Sequence, residues 1–124
     1  HTTDPDETGI DIYMGIGGAP EGVLAAAALR CIGGQMQGRL VINTQQQRDR
    51  AIKMGIEDVN KKFDMSEMAK GDVLFAATGV TDGNMLAGVR FDRDSITTHT
   101  VVMRSSSHTV RWIKARHSQT SKFT

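Results

Sequence analysis

The chain has one cysteine, Cys31, among its 124 residues, so no disulfide can form within it. A lone cysteine is typical of a reducing compartment, and we expect a cytoplasmic protein. Aromatic residues make up 5% of the sequence, which leaves few side chains for stacking on nucleic acid bases. The formal net charge is +1, so neither nucleic acid nor an anionic membrane is indicated as a partner. No apolar run is long enough to cross a membrane.

The length and the alternation of helical and extended patterns favour one α/β domain over residues 1–124. We expect a linker over 1–9, where Asp, Pro and Gly form a turn, and a frayed polar tail over 118–124. Helices are expected over 20–32, which is apolar on nearly every face and therefore buried, over 45–54 and from 65 to about 70. Gly33 and Gly34 should end the first helix, and capping boxes that begin at Thr44 and Asp64 should open the other two. We predict strands over 10–14, 38–42, 73–77, 88–91, 97–104 and 109–115, of which the last three are antiparallel and 73–77 is buried, and a serine-rich turn over 105–107 connects the last two.

A glycine-rich turn links the first predicted strand to the first long helix. Gly17 and Gly18 have no Cβ, so the main chain can turn sharply and approach a ligand closely. Pro20 suits the first helical position, and the N–H groups of that turn favour a phosphate or carboxylate. Glu21 lies in the same turn, so phosphate and a metal cation could meet here. Local physics alone also explains Glu21 as an acid that complements the helix dipole, and Pro20 disfavours a dinucleotide fingerprint.

Six segments, three of them long, resemble one known family in order along the chain. These segments are GIGGAPEGVLAAAALRC over 15–31, GGQMQGRL over 33–40, FAATGVTDG over 75–83, and GVRF over 88–91 with later matches at 97–100 and 102–105. They are similar to the C-terminal half of bacterial class II fructose-1,6-bisphosphatases. The resemblance implies a layered α/β sugar-phosphatase fold, with a mixed sheet packed by helices and an antiparallel C-terminal portion.

The resemblance also implies a reaction and two site residues. The family hydrolyses the 1-phosphate of fructose 1,6-bisphosphate to give fructose 6-phosphate in gluconeogenesis, and some members accept sedoheptulose 1,7-bisphosphate. It uses divalent metal, manganese or magnesium, and forms dimers and tetramers. Glu21 occupies the position of a family metal ligand, and Gly18 the position of a glycine that contacts substrate. We expect two or three ions, held in part by Glu21, to activate a water for in-line attack on the phosphate.

The chain departs from the family pattern in what it lacks. The other carboxylate ligands, an Asp-Gly-Asp substrate segment and a threonine that orients the attacking water lie in the family's N-terminal half. We therefore expect a fragment that contains no catalytic residue of its own and needs that N-terminal half as its partner. The alternative is a non-catalytic phosphate-binding or structural module, inactive alone.

The remaining candidates have two interpretations each. Thr81 and Asp82 follow a predicted buried strand, where α/β proteins often bind ligands, but Asp and Gly there are also ordinary turn residues. Three arginines could bind a distal phosphate or simply be solvated or interfacial. They are Arg104, Arg111 and Arg116. No histidine pair has the spacing of a helical metal site, and Cys31 is expected to be a packing residue.

Overall fold

The computed structural model describes residues 5–118, which form four helices and six strands. They follow one another in this order: α1 (Pro5–Thr8), α2 (Ala19–Ile32), β1 (Gln37–Arg39), α3 (Gln45–Lys53), β2 (Lys62–Asp64), α4 (Met65–Met68), β3 (Leu74–Thr78), β4 (Arg90–Phe91), β5 (Ile96–Arg104) and β6 (Thr109–His117). The α/β class is therefore confirmed. Every strand pairing in this part of the chain is antiparallel, which differs from the mixed sheet we expected.

The larger sheet is organised around β5, which pairs with three other strands. One edge of β5 carries β3 and, further along, the short β4, while the other edge pairs with β6 over its full length. The β5–β6 connection is a tight hairpin over 105–108, in the serine-rich turn that the sequence predicts. A second, two-stranded sheet joins β1 to β2.

Helix α2 covers one face of the larger sheet. Ala28 and Cys31 from α2 pack with Val101 and Met103 from β5, and Val101 is completely buried. Small side chains on the helix allow this close approach. Burying a valine side chain fully contributes about 1.5 to 3 kcal/mol relative to leaving it exposed, so Val101 stabilises the contact between the sheet and α2.

The predicted end of α2 and the predicted starts of α3 and α4 are confirmed by their local geometry, whereas α4 ends at Met68, before the predicted position near 70. Gly33 has φ 77°, the left-handed conformation that ends α2, and its N–H donates to the Leu29 carbonyl oxygen. Thr44 caps α3 by accepting from the Gln47 N–H at 3.2 Å. Asp64 opens α4 with both hydrogen bonds of a capping box. The Asp64 side chain accepts from the Glu67 N–H, and the Asp64 N–H donates to the Glu67 side chain.

The strand predicted over 10–14 is wrong for the described structure. This segment has no regular secondary structure and no strand partner in the described residues, and Ile12, Tyr13 and Met14 are at least three-quarters exposed. The alternating apolar pattern is typical of a strand, but a strand needs a neighbour to accept its main-chain hydrogen bonds. No strand within residues 5–118 lies beside it.

The extent of burial also differs from the prediction. Val23 and Leu24 in the first half of α2 are 46% and 57% exposed, so the helix is not buried on nearly every face within the described residues. Strand β3 alternates between covered and exposed residues, with Leu74 on the open face. Trp112 of β6 is exposed too, although its neighbour Val101 on β5 is buried. The four-stranded sheet is therefore covered on one face by α2, and its other face is open within the described residues.

Smaller differences concern boundaries. The strand expected over 38–42 is shifted to β1, and the turn expected over 4–9 includes the single helical turn α1 followed by Gly9 with φ 67°. Asp4 and most of the predicted tail over 118–124 lie outside the described residues. The division into a linker, one domain and a tail stays a prediction.

Candidate functional site

The glycine-rich turn places its free amides at the beginning of α2. Gly18 is the N-cap, with extended φ −68° and ψ 150°, and its carbonyl oxygen accepts from the Gly22 N–H at 3.0 Å. The N–H groups of Ala19 and Glu21 lie in the first turn of α2, where the helix offers no carbonyl oxygen to accept from them. They can therefore donate to another acceptor. Pro20 lacks an N–H and sacrifices no hydrogen bond there. This helix start can receive an anion as the sequence predicts.

The Glu21 side chain folds back over Gly18. A Cβ placed on Gly18 would collide with the Glu21 Oε2 atom, so the observed position of the carboxylate requires glycine at the N-cap. The carboxylate is exposed to solvent and makes no ion pair within residues 5–118. The two predicted site residues are therefore direct neighbours in space, although the helix dipole alone would also favour an acidic residue in this first turn.

The donor chemistry of Glu21 fits a divalent cation, since Mg²⁺ and Mn²⁺ prefer carboxylate oxygens. One carboxylate does not make a site. No group of three or more His, Cys, Asp or Glu residues that could hold a metal ion occurs in the part of the chain that the structure describes. Glu21 is therefore a candidate for one ligand, and residues 5–118 do not complete a metal site around it.

Asp82 organises the loop between β3 and β4. Its Oδ1 atom accepts from the Gly88 N–H at 2.8 Å, and Arg90 donates to both carboxylate oxygens at 2.7 and 2.8 Å. The Arg90 guanidinium, followed by the Gly88 amide, lowers the pKa of Asp82. These bonds support the turn interpretation of the segment beginning at Thr81. Arg90 was missed in the sequence, where the only signal is an opposite charge eight residues after Asp82.

The Asp82–Arg90 pair gives a pH-dependent prediction. Because the folded pKa of Asp82 lies below its ordinary 3.8, its contribution is complete above about pH 4 and is lost as the pH falls through the lower folded value. We expect Asp82→Asn to lower the thermal midpoint of the full-length protein at pH 7, and the difference from wild type to shrink towards pH 3. Thermal melts across this range measure it.

The control is Asp72→Asn, since Asp72 is an exposed acid with no ion pair in the described residues. It should melt like wild type at each pH. A constant difference between Asp82→Asn and wild type from pH 7 to pH 3 would mean that the charge of Asp82 is not what holds the loop.

The three C-terminal arginines do not converge on one ligand. The β5–β6 register places Arg104 opposite Thr109, and therefore on the same sheet face as Arg111. Arg116 lies five positions after Arg111, so it projects from the opposite face. All three side chains are exposed. This division favours the solvated or interfacial interpretation over a joint phosphate site.

The two best-placed histidines serve the fold. His99 Nδ1 accepts from the Ala87 N–H at 2.9 Å, which fixes the neighbouring loop to β5. His108 has φ 48° in the β5–β6 turn, and its Nδ1 lies 3.2 Å from the Cys31 carbonyl oxygen. Cys31 itself is fully buried, and burial raises the pKa of its thiol. A buried protonated thiol packs and does not act as a nucleophile, which agrees with the prediction.

The described helices include none that is long and apolar enough to span a membrane. What the geometry does define is a small α/β protein with an acidic, glycine-lined helix start. The model of one protein family, bacterial fructose-1,6-bisphosphatase of the glpX-encoded type, matches residues 1–117. The chain belongs to this family.

Curated relatives agree with that assignment. A protein of a Synechococcus strain is 45% identical over an alignment of 123 residues. The match covers 89% of this chain and 35% of the relative. A Gloeobacter violaceus protein is 42% identical, covering 89% of this chain and 36% of the relative. Both carry the name D-fructose 1,6-bisphosphatase class 2/sedoheptulose 1,7-bisphosphatase. The chain therefore spans about a third of the length of the curated relatives it matches.

Proposed function

We propose that the full-length protein carrying this chain is a metal-dependent sugar-bisphosphate phosphatase. It removes the 1-phosphate of fructose 1,6-bisphosphate, and the names of the relatives support the seven-carbon analogue, sedoheptulose 1,7-bisphosphate, as a second substrate. The observation that carries the proposal is the Glu21 carboxylate folded over Gly18 at a helix start, within the region that the family model matches.

The helix start binds and orients the phosphate. The N–H groups of Ala19 and Glu21 donate to phosphate oxygens, and the positive end of α2 offsets part of their negative charge. Gly18 has no side chain of its own, which leaves room for the Glu21 carboxylate beside this surface. Glu21 would hold Mn²⁺ or Mg²⁺ as one of several ligands, and the cation would offset the repulsion between the carboxylate and the phosphate. A bound divalent cation would neutralise phosphate charge and lower the pKa of a bound water.

The second candidate is a module that is inactive alone. Residues 5–118 contain no group of three metal-ligating side chains, so this part of the chain cannot complete a cation site of the proposed kind. We expect the isolated 124-residue polypeptide to release no phosphate. Its function would then be to supply Glu21 and the helix start to a site completed by the N-terminal half.

Three further properties follow from the family and stay predictions. They are a layered sugar-phosphatase arrangement in the full-length protein, a homo-oligomer, and a cytoplasmic role in gluconeogenesis. Exposed apolar side chains on the open sheet face, such as Leu74 and Phe91, support a further layer or subunit that covers them.

Phosphate release from fructose 1,6-bisphosphate tests the proposal. We expect the full-length protein to release phosphate with Mn²⁺ or Mg²⁺ and to lose this activity with a chelator. Gly18→Ala should lower the rate by about 10- to 100-fold, because the new Cβ displaces the carboxylate of a ligand.

The matched control is Gly22→Ala, four residues later in the same helix. A Cβ there meets no atom within 4 Å, and alanine favours the helical conformation, so its rate should stay near that of wild type. The absence of metal-dependent phosphate release from folded full-length protein would contradict the proposed function. Equal rates for Gly18→Ala and wild type would contradict the role of Gly18.

A further inference from the structure

Residues 10–16 carry apolar side chains at every second position, at Ile10, Ile12, Met14 and Ile16. Ile12, Met14 and Ile16 are 75%, 84% and 86% exposed, and in strand geometry these positions lie on one side of the backbone. A contiguous apolar stripe of this kind marks an interaction surface, whereas single exposed apolar residues do not.

The main chain of this segment is unpaired as well. Within the part of the chain that the structure describes, residues 11–17 make no main-chain hydrogen bond, and the Ile10 N–H reaches only the Thr8 side chain at 3.4 Å. The segment thus offers a strand's alternating side chains together with a strand's free N–H and C=O groups. These are the two features that allow an extended peptide to join the edge of a sheet.

The apolar surface continues onto the first half of α2. Leu24 lies on the same helical stripe as Ala28 and Cys31, since the three are separated by four and three positions. Yet Leu24 is 57% exposed, while Ala28 and Cys31 are 8% and 0% exposed. The sheet therefore covers the second half of this stripe, and the half next to residues 10–16 is exposed to solvent.

The lengths of the relatives indicate what covers this surface. The segment lies inside the family match, and the matched relatives are nearly three times as long as the part aligned with this chain. The placement of that extra polypeptide beside residues 10–16 rests also on the proposed function. The other metal ligands must approach Glu21, which lies only five residues after Ile16, from outside residues 5–118.

We propose that residues 10–14 form a β-strand that pairs with an edge strand of the polypeptide by which the relatives exceed this chain. The apolar stripe of Ile10, Ile12 and Met14 faces the core of that partner, and Leu24 extends the contact. Pairing fixes the main chain immediately before Gly18, and so it sets the position of the Glu21 carboxylate against the ligands that the partner strand's domain supplies.

Hydrogen exchange of the full-length protein tests this pairing without reference to activity. We expect alternate main-chain amides within residues 10–14, those that face the partner strand, to exchange at least about 100-fold more slowly than unstructured peptide. Ile12→Asp should abolish much of this protection, because it places a charge in the apolar stripe. Val80→Asp is the control, since Val80 is 78% exposed and lies outside the segment. It should leave the protection unchanged.

The outcomes separate this inference from the proposed function. Amides that exchange at the unprotected rate in folded, phosphatase-active protein would overturn the pairing while leaving the function intact. Protection in a protein without phosphatase activity would support the pairing and contradict the function. Protection that disappears when oligomers are diluted to monomers would assign the partner strand to a second copy, and that result would overturn the proposal as well.

Discussion

Replacing Glu21 by glutamine in the full-length protein is expected to remove most of its metal-dependent phosphatase activity, with a loss of at least about 100-fold. Losing a residue that merely orients a metal ligand typically costs 10- to 100-fold, and a ligand itself should cost no less. Glutamine keeps the size of the side chain but replaces the anionic oxygen that a hard cation prefers with a neutral amide. Phosphate release measured against Mn²⁺ concentration gives the effect.

The same substitution should leave the fold almost unchanged. Glu21 is exposed, and its structural contribution is the interaction of one acid with the helix dipole, typically 0.3 to 1 kcal/mol. Glu57→Gln is the matched control, because Glu57 is also exposed and has no ion pair in the described residues. Activity lost in Glu21→Gln together with a wild-type thermal midpoint identifies a ligand. Activity equal to that of Glu57→Gln would leave Glu21 only as an acid that complements the helix dipole.

Local rules predicted the features of this fold that depend on neighbours in sequence. The capping residues Thr44 and Asp64, the left-handed Gly33 and the β5–β6 hairpin depend on interactions within a few positions, and each is confirmed. Burial could not be predicted in the same way. The apolar patterns over 10–14 and on α2 indicate surfaces that pack, but what they pack against is not encoded in those residues.

The same distinction between local and long-range interactions applies to the candidate site. The resemblance to the family indicated Gly18 and Glu21, and their contact follows from the local geometry of one helix turn. The pairing of Asp82 with Arg90 depends on a loop that folds back on itself, so the sequence offered two interpretations of Asp82. The separation of Arg111 from Arg116 needed the strand register, because only alternation along β6 assigns the two side chains to opposite faces.

That same loop gives the largest expected change in stability. Gly79 donates its N–H to the His99 carbonyl oxygen at 3.0 Å, and the chain returns so closely that a Cβ on Gly79 would fall on the Ala87 carbonyl oxygen. The Ala87 carbonyl group is main chain and cannot rotate away as a side chain could, so Gly79→Ala must push the loop away from β5. It would also disturb Leu86, a member of the core. Overpacking of this kind costs about 1 to 3 kcal/mol, and we expect the upper end.

Gly83→Ala separates this steric effect from the general cost of changing a loop glycine. Gly83 lies in the same loop, but a Cβ there would be 3.8 Å from the Leu86 carbonyl oxygen, an ordinary contact. Its free energy of unfolding should stay within about 0.5 kcal/mol of wild type. Urea unfolding of the full-length protein compares the variants. If Gly79→Ala unfolded at the same midpoint as Gly83→Ala, the loop would not be held against β5 at this distance. A lower midpoint for Gly79→Ala alone would show that close main-chain packing, and not turn conformation, requires glycine at this position.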